Sequence, residues 1–154
     1  MLLKDEVELL RRVPLFAGVA PSKLKLLAFT SDRVSYRPGE ILFNQGDSAD
    51  AAYVVLSGNA DILVDTGGGQ IKVASIEPNS IVGEIAILCD VARTATVKAS
   101  APLETLRIKK DPFIRMLAEF PEMAFAIMRE IAERLTRTTA ELSEARSQLR
   151  RQSH

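Results

Sequence analysis

The hydrophobic rhythm of the chain changes twice. Residues 2–12 place Leu2, Leu3, Val7 and Leu10 at helical spacing with charges between them, and Pro14 is expected to close that helix. A second short helix is predicted after Pro21-Ser22, carrying Leu24, Leu26, Leu27 and Phe29. Both helices are expected to pack against a β domain. From Arg33 to Ile108 the pattern becomes a series of short β-rich runs. The predicted strands are Arg33–Tyr36, Ile41–Asn44, Ala52–Leu56, Ala60–Val64, Ile71–Ile76, Thr94–Ser100 and Leu103–Ile108. Pro38-Gly39, Gly46-Asp47, Ser57-Gly58-Asn59, Gly67-Gly68-Gly69 and Pro78-Asn79 punctuate them. Many short strands with frequent turns point to a barrel or jelly roll, not to a parallel sheet with crossover helices.

Past Ile108 the rhythm is helical again. Asp111-Pro112 reads as an N-cap followed by proline at the first helical position, and Pro121-Glu122 repeats a start signal with an acid in the first turn. Met128, Ile131, Leu135, Thr138, Leu142, Ala145 and Leu149 then recur at alternating spacings of three and four, which is a heptad seam. No Pro or Gly interrupts residues 122–153, so a helix of about 45 Å is predicted at 1.5 Å per residue. The seam has two readings: a face packed on the same barrel, or a face paired with a second chain. A barrel is too short to cover Thr138 to Leu149, which favours a parallel homodimer through this helix, weakened by Thr138 and Ala145. The expected class is therefore α+β, an antiparallel β jelly-roll barrel flanked by N-terminal helices and a long C-terminal helix. Its parts are residues 1–32, 33–110 and 111–154.

Composition narrows the function classes. The 154 residues carry 20 Lys and Arg against 20 Asp and Glu, so no global field favours nucleic acid or an anionic membrane. No apolar run reaches the roughly 18 residues of a membrane span. Asp5, Glu6 and Glu8 make the N-terminus unlike a secretory signal. The single cysteine, Cys89, excludes an internal disulfide and is read as a small buried hydrophobe rather than a redox sensor. These features predict a cytoplasmic setting. Catalysis finds no support: the one histidine is His154 at the terminus, no Ser or Thr has an evident partner base, and no Cys/His cluster offers a metal site. Gly67-Gly68-Gly69 resembles a phosphate loop only superficially, because no Gly-Lys-Ser/Thr follows; a hairpin turn is expected.

Residues 82–97, Val-Gly-Glu-Ile-Ala-Ile-Leu-Cys-Asp-Val-Ala-Arg-Thr-Ala-Thr-Val, concentrate the candidate chemistry. Gly83 lets the backbone approach a ligand closely, and a helix start offers free N–H groups to an anion. Glu84 supplies an acceptor for hydroxyls, and Arg93 a guanidinium for phosphate oxygens. The stretch resembles the phosphate-binding cassette of cyclic-nucleotide-binding domains, the family of catabolite activator proteins and protein kinase A regulatory subunits. Gly83, Glu84, Ala86, Arg93, Ala95, Thr96 and Val97 match the family pattern outright, with Ile85 and Ile87 as aliphatic replacements. Val82 stands where an aromatic is common, Ala92 where proline often precedes the arginine, and Thr94 where cAMP-selective kinase domains carry alanine. Likeness also extends through Gly39-Glu40-Ile41 to Gly46 and Ala51 to Gly58, covering most of residues 10–135.

The resemblance implies a ligand set of Val82, Gly83, Glu84, Ile85, Ala86, Arg93, Thr94 and Ala95. Glu84 would accept the ribose 2′-OH, and Arg93 and the N–H groups of Ile85 and Ala86 would meet the cyclic phosphate. The helix bearing Arg134, Leu135 and Arg137 is the candidate base lid. Thr94 could accept from a guanine amino group, so the implied ligand is cAMP with cGMP as competitor. No cofactor or metal is implied. The chain shows no membrane span, and no room for the DNA-binding helix-turn-helix that catabolite activators append, so a sensor module is expected. The alternative is a degenerate scaffold that binds no ligand and acts through its coiled coil.

Overall fold

Strand β3 (Ala51–Ser57) organises the molecule because both of its faces are covered. Ala52, Val54 and Leu56 on one face join a cluster with Leu10, Phe16, Leu24, Leu27, Leu106, Phe113, Met123 and Ile127. Ala51, Tyr53 and Val55 on the other join Ala60, Ile76, Val97 and Leu103. The period-two alternation thus splits one strand between two cores: one between sheet and helices, one between two sheets. In this computed structural model residues 3–152 are described, with side chains from Glu6 onward; Leu2 and His154 lie outside the described residues, and so does the side chain of Leu3.

Helix α1 (Leu3–Arg11), a 3₁₀ turn (Pro14–Phe16) and α2 (Pro21–Thr30) precede β1 (Asp32–Tyr36), β2 (Ile41–Phe43), β3, β4 (Ala60–Asp65), β5 (Gln70–Ile76) and β6 (Ile81–Val82). Helix α3 (Glu84–Leu88), β7 (Thr96–Ala99), β8 (Leu103–Lys109), α4 (Lys110–Glu119) and α5 (Pro121–Gln152) complete the chain. The strands form two four-stranded antiparallel sheets, ordered β1-β8-β3-β6 and β2-β7-β4-β5. That order is a jelly roll. The expected α+β class and the long C-terminal helix are both present.

Several details differ from the sequence-based expectation. Pro14 does end α1, but it also opens the 3₁₀ turn that buries Leu15 and Phe16. β6 was not predicted: two residues carry no periodicity, and only pairing of Ile81 and Val82 with Val54 and Tyr53 makes them a strand. β7 begins at Thr96 rather than Thr94, because the Arg93 N–H bonds to the Asp47 carbonyl at 2.8 Å and holds that segment in a turn. Helix α4 begins at Lys110 with Lys109 as its N-cap, so Pro112 sits third; an orphan N–H is tolerated there as well as at the first position. Cys89 is exposed, not buried, because it caps the C-terminus of a five-residue helix whose inner face is taken by Ala86 and Ile87.

Gly67-Gly68-Gly69 forms the β4–β5 hairpin turn, closed by the Thr66 N–H donating to the Gly69 carbonyl at 3.2 Å. In α5, Met123 and Ile127 are buried in the helix–sheet core and Ile131 is packed against it. Met128, Leu135, Leu142 and Leu149 remain exposed, and every described residue from Thr139 onward is exposed. The predicted seam is therefore divided, with Ile131 turned inward and the leucine column turned out.

Candidate functional site

Gly83 sits at the hinge between β6 and α3 in the left-handed region, at φ 88 and ψ 1. Its conformation turns the chain sharply, so Glu84 enters the fold and α3 begins with no side-chain cap on its first N–H groups. A Cβ at this position would lie 2.7 Å from Arg93 Nη1 and 3.2 Å from Phe43 Cε2, so the close approach requires glycine.

Arg93 is fixed from both ends. Its main chain is clamped to the 44–47 turn: the Gly46 N–H donates to the Arg93 carbonyl at 2.8 Å, and the Asn44 N–H to Asp47 Oδ2 at 2.9 Å. The residue as a whole is only 3 % exposed. Nη1 donates to the Gly83 carbonyl at 2.6 Å and Nη2 to the Ala51 carbonyl at 2.5 Å. The guanidinium lies over the Phe43 ring, 4.0 Å from its centroid, with Asp50 Oδ1 3.8 Å from Nη2. Burial pulls its pKa below the ordinary arginine value, opposed by Tyr53, Asp50 and Asp47. Among the described residues, Arg93 Nε is the buried side-chain nitrogen without a hydrogen-bond partner. A buried, charged donor left unsatisfied is costly, and an anion would satisfy it.

Glu84 is 2 % exposed. Arg134 of α5 reaches it, Nη1 to Oε1 at 3.5 Å, while Arg134 Nη2 donates to Glu130 Oε1 at 2.7 Å. Burial raises the Glu84 pKa, and its backbone hydrogen bond and Arg134 offset that only in part. Arg134 thereby ties the long helix to the cassette.

These groups face a cavity of about 540 Å³, within the range of small-molecule sites. Val82, Gly83, Glu84, Ile85, Ala86, Arg93, Thr94 and Ala95 all line it, as do Arg134 and Arg137. Leu135 does not: it is 66 % exposed and points about 100° around the helix from Arg134. Phe43, Glu130, Thr138 and Glu141 also line the cavity, and Asp50 lies 3.8 Å from Arg93; none of these was expected from the sequence. Residues 134, 138 and 141 repeat at helical spacing and were legible as a face, but the heptad leucines dominated that stretch. Phe43 and Asp50 lie some 40 positions from the cassette and carried no local signal.

The arrangement suits a small anion bearing hydroxyls: a buried cation and helix N–H groups at one end, a buried carboxylate beside them, and a mixed wall from β5 and α5. Residues 33–120 match the family profile of the cyclic nucleotide-binding domain. The chain belongs to that family. It is 30% identical over 130 residues to a cyclic AMP receptor protein of Thermus thermophilus, covering 84% of this chain and 60% of that protein. It is 27% identical over 115 residues to a cAMP-dependent protein kinase regulatory subunit of Blastocladiella emersonii, covering 74% and 28%. In structure it resembles the sensor domain of the transcriptional regulator DNR from Pseudomonas aeruginosa, with TM-score 0.79, 26% identity, and 90% and 94% of the two chains covered. The chain thus spans less than two thirds of the length of these two sequence relatives. Among the described residues no helix is long and apolar enough to cross a membrane.

Proposed function

We propose that the cavity binds a 3′,5′-cyclic nucleotide, cAMP in preference to cGMP, and that the chain is a regulatory module rather than an enzyme. The observation that carries this reading is the buried Arg93, a residue of the cavity lining whose Nε has no hydrogen-bond partner, together with the buried Glu84 on the same lining. Arg93 and the N–H groups at the start of α3 take the cyclic phosphate, and Glu84 accepts from the ribose 2′-OH. Thr94, exposed on the lining, is available to the base. Residues 33–110 form the binding unit and 111–154 the readout, within a cytoplasmic setting.

Occupancy reaches α5 through Arg134. A ribose hydroxyl donating to Glu84 alters the partner that Arg134 holds, so ligand and helix position are thermodynamically linked. Arg134 and Arg137 form the lid over the base, and the exposed column of Met128, Leu135 and Leu142 pairs with the same column of a second copy.

A second reading has its own support. Gly83 and Ala51 already engage Arg93, and Arg134 already engages Glu84, as a non-binding scaffold would arrange. Thermal melts with 1 mM cAMP or cGMP separate the two. Ligand at 100 times its dissociation constant adds about 2.7 kcal/mol, a rise of about 5–10 °C for a chain of this size. Arg93→Ala is expected to cut the rise to about half or less, since each charge-assisted bond of about 1.5–3 kcal/mol corresponds to ten- to a hundredfold in affinity, which leaves about 1.4 to 0.4 kcal/mol of ligand stabilisation. No rise with either nucleotide, in protein shown to be free of bound nucleotide, supports the scaffold instead.

A further inference from the structure

Phe43 closes β2, pairs with Val97 of β7 and lines the cavity beside Arg93. We propose that Phe43 is a positioning residue for the anion-binding guanidinium, its ring face fixing the plane of Arg93 without consuming an N–H donor. The inference rests on the phosphate role proposed for Arg93.

A guanidinium has five N–H donors, all in its plane. Two are committed, one from each terminal nitrogen, to the Gly83 and Ala51 carbonyls. That leaves Nε–H and one hydrogen on each terminal nitrogen. Asp50 is too distant, at 3.8 Å, to take one in a direct hydrogen bond. A second carboxylate in the place of Phe43 would also orient the guanidinium, but it would occupy the donors an anion needs. An aromatic face attracts the cation through its quadrupole and leaves the plane's edge open.

The surroundings hold this contact in place. Tyr53 packs against Phe43 with ring centroids 5.8 Å apart and planes tilted by 35°. Gly83, lacking Cβ, leaves room for both the guanidinium and the ring edge. Phe43 itself is held by β2–β7 pairing, and Arg93 by the 44–47 turn directly after β2. One short segment, 43–47, therefore places both the ring and the backbone of the arginine above it.

The test replaces Phe43 by mono-, di- and trifluorophenylalanine, which preserve ring shape while draining its negative face. Nucleotide affinity is read by calorimetry on the full chain after removal of any bound nucleotide. We expect a stepwise weakening that reaches about tenfold at three fluorines, with Phe43→Tyr within about threefold of the parent and Phe43→Leu about tenfold weaker. An affinity that stays flat or tightens along the fluorine series overturns the positioning role while leaving the nucleotide reading intact. Failure of the unsubstituted protein to bind either nucleotide rejects that reading, and the role of Phe43 with it.

Discussion

At the scale of single residues, the site is defined by two ionisable groups, Arg93 and Glu84, that are almost fully buried. Arg93 retains its charge because carbonyl oxygens and an aromatic face replace its hydration, and because arginine titrates far above neutrality even when burial lowers its pKa. Glu84 has weaker compensation, and burial wins: its pKa lies above the ordinary 4.5. Folding therefore favours the protonated carboxyl. The stability linked to that proton is full below the ordinary value and is lost as pH rises through the elevated one. Glu84→Gln removes the titration and leaves a neutral group of the same shape. In the nucleotide-free protein its melting temperature is expected to exceed the parent's at about pH 7 and to converge on it near about pH 4. Melting curves that stay parallel across that range would show that Arg134 compensates the carboxylate fully.

Among the secondary elements, β3 and α5 carry the most information. β3 ends at Ser57, and Gly58 turns the chain at φ +89 with Pro102 directly behind it; a Cβ there would lie 2.0 Å from the Pro102 carbonyl oxygen. Gly58→Ala must push two backbone segments apart, so a loss of about 3 kcal/mol or more is expected in chemical denaturation, with unchanged m-value. A loss below about 1 kcal/mol would mean that the β3–β4 turn and the segment before β8 move freely. For α5, the inward face is occupied by Met123, Ile127 and Ile131, while Met128, Leu135 and Leu142 are exposed at seven-residue intervals. That column suits a second helix. Light scattering at micromolar concentration is expected to give a dimer mass, and Leu135→Glu with Leu142→Glu a monomer. A monomeric parent would reject pairing through this face.

The whole molecule is uneven in how firmly it is held. The cassette lies between two cores, but from Thr139 onward α5 has no buried residue among those described. An isolated helix of that length is marginal in water. Amide exchange is expected to divide α5 near Thr138, slow across 123–134 and fast across 139–152 in dilute protein, with the distal part slowing as concentration rises. Uniform slow exchange in dilute protein would show that the distal helix is stable without a partner. If Arg134 links the site to α5, nucleotide should slow exchange around residues 130–138 as well as in the cassette.

The sequence by itself determined the strand-rich middle, the helical ends and the cassette, because each rests on local chemistry. Turn glycines, period-two alternation and a Gly-Glu start followed by arginine are all readable within a few residues. Its seven predicted strands all exist, and the eight predicted cassette residues all line one cavity. The features it left open depended on packing between distant segments. β6 exists only because β3 offers it a partner, and Cys89 is exposed because α3 turns its apolar face inward. Phe43 and Asp50 meet Arg93 only once β2 and the start of β3 are brought beside the cassette. The direction of the leucine column was likewise a tertiary decision. The heptad spacing was plain in the chain, but the core that claims Met123, Ile127 and Ile131 decides which side of α5 is left free.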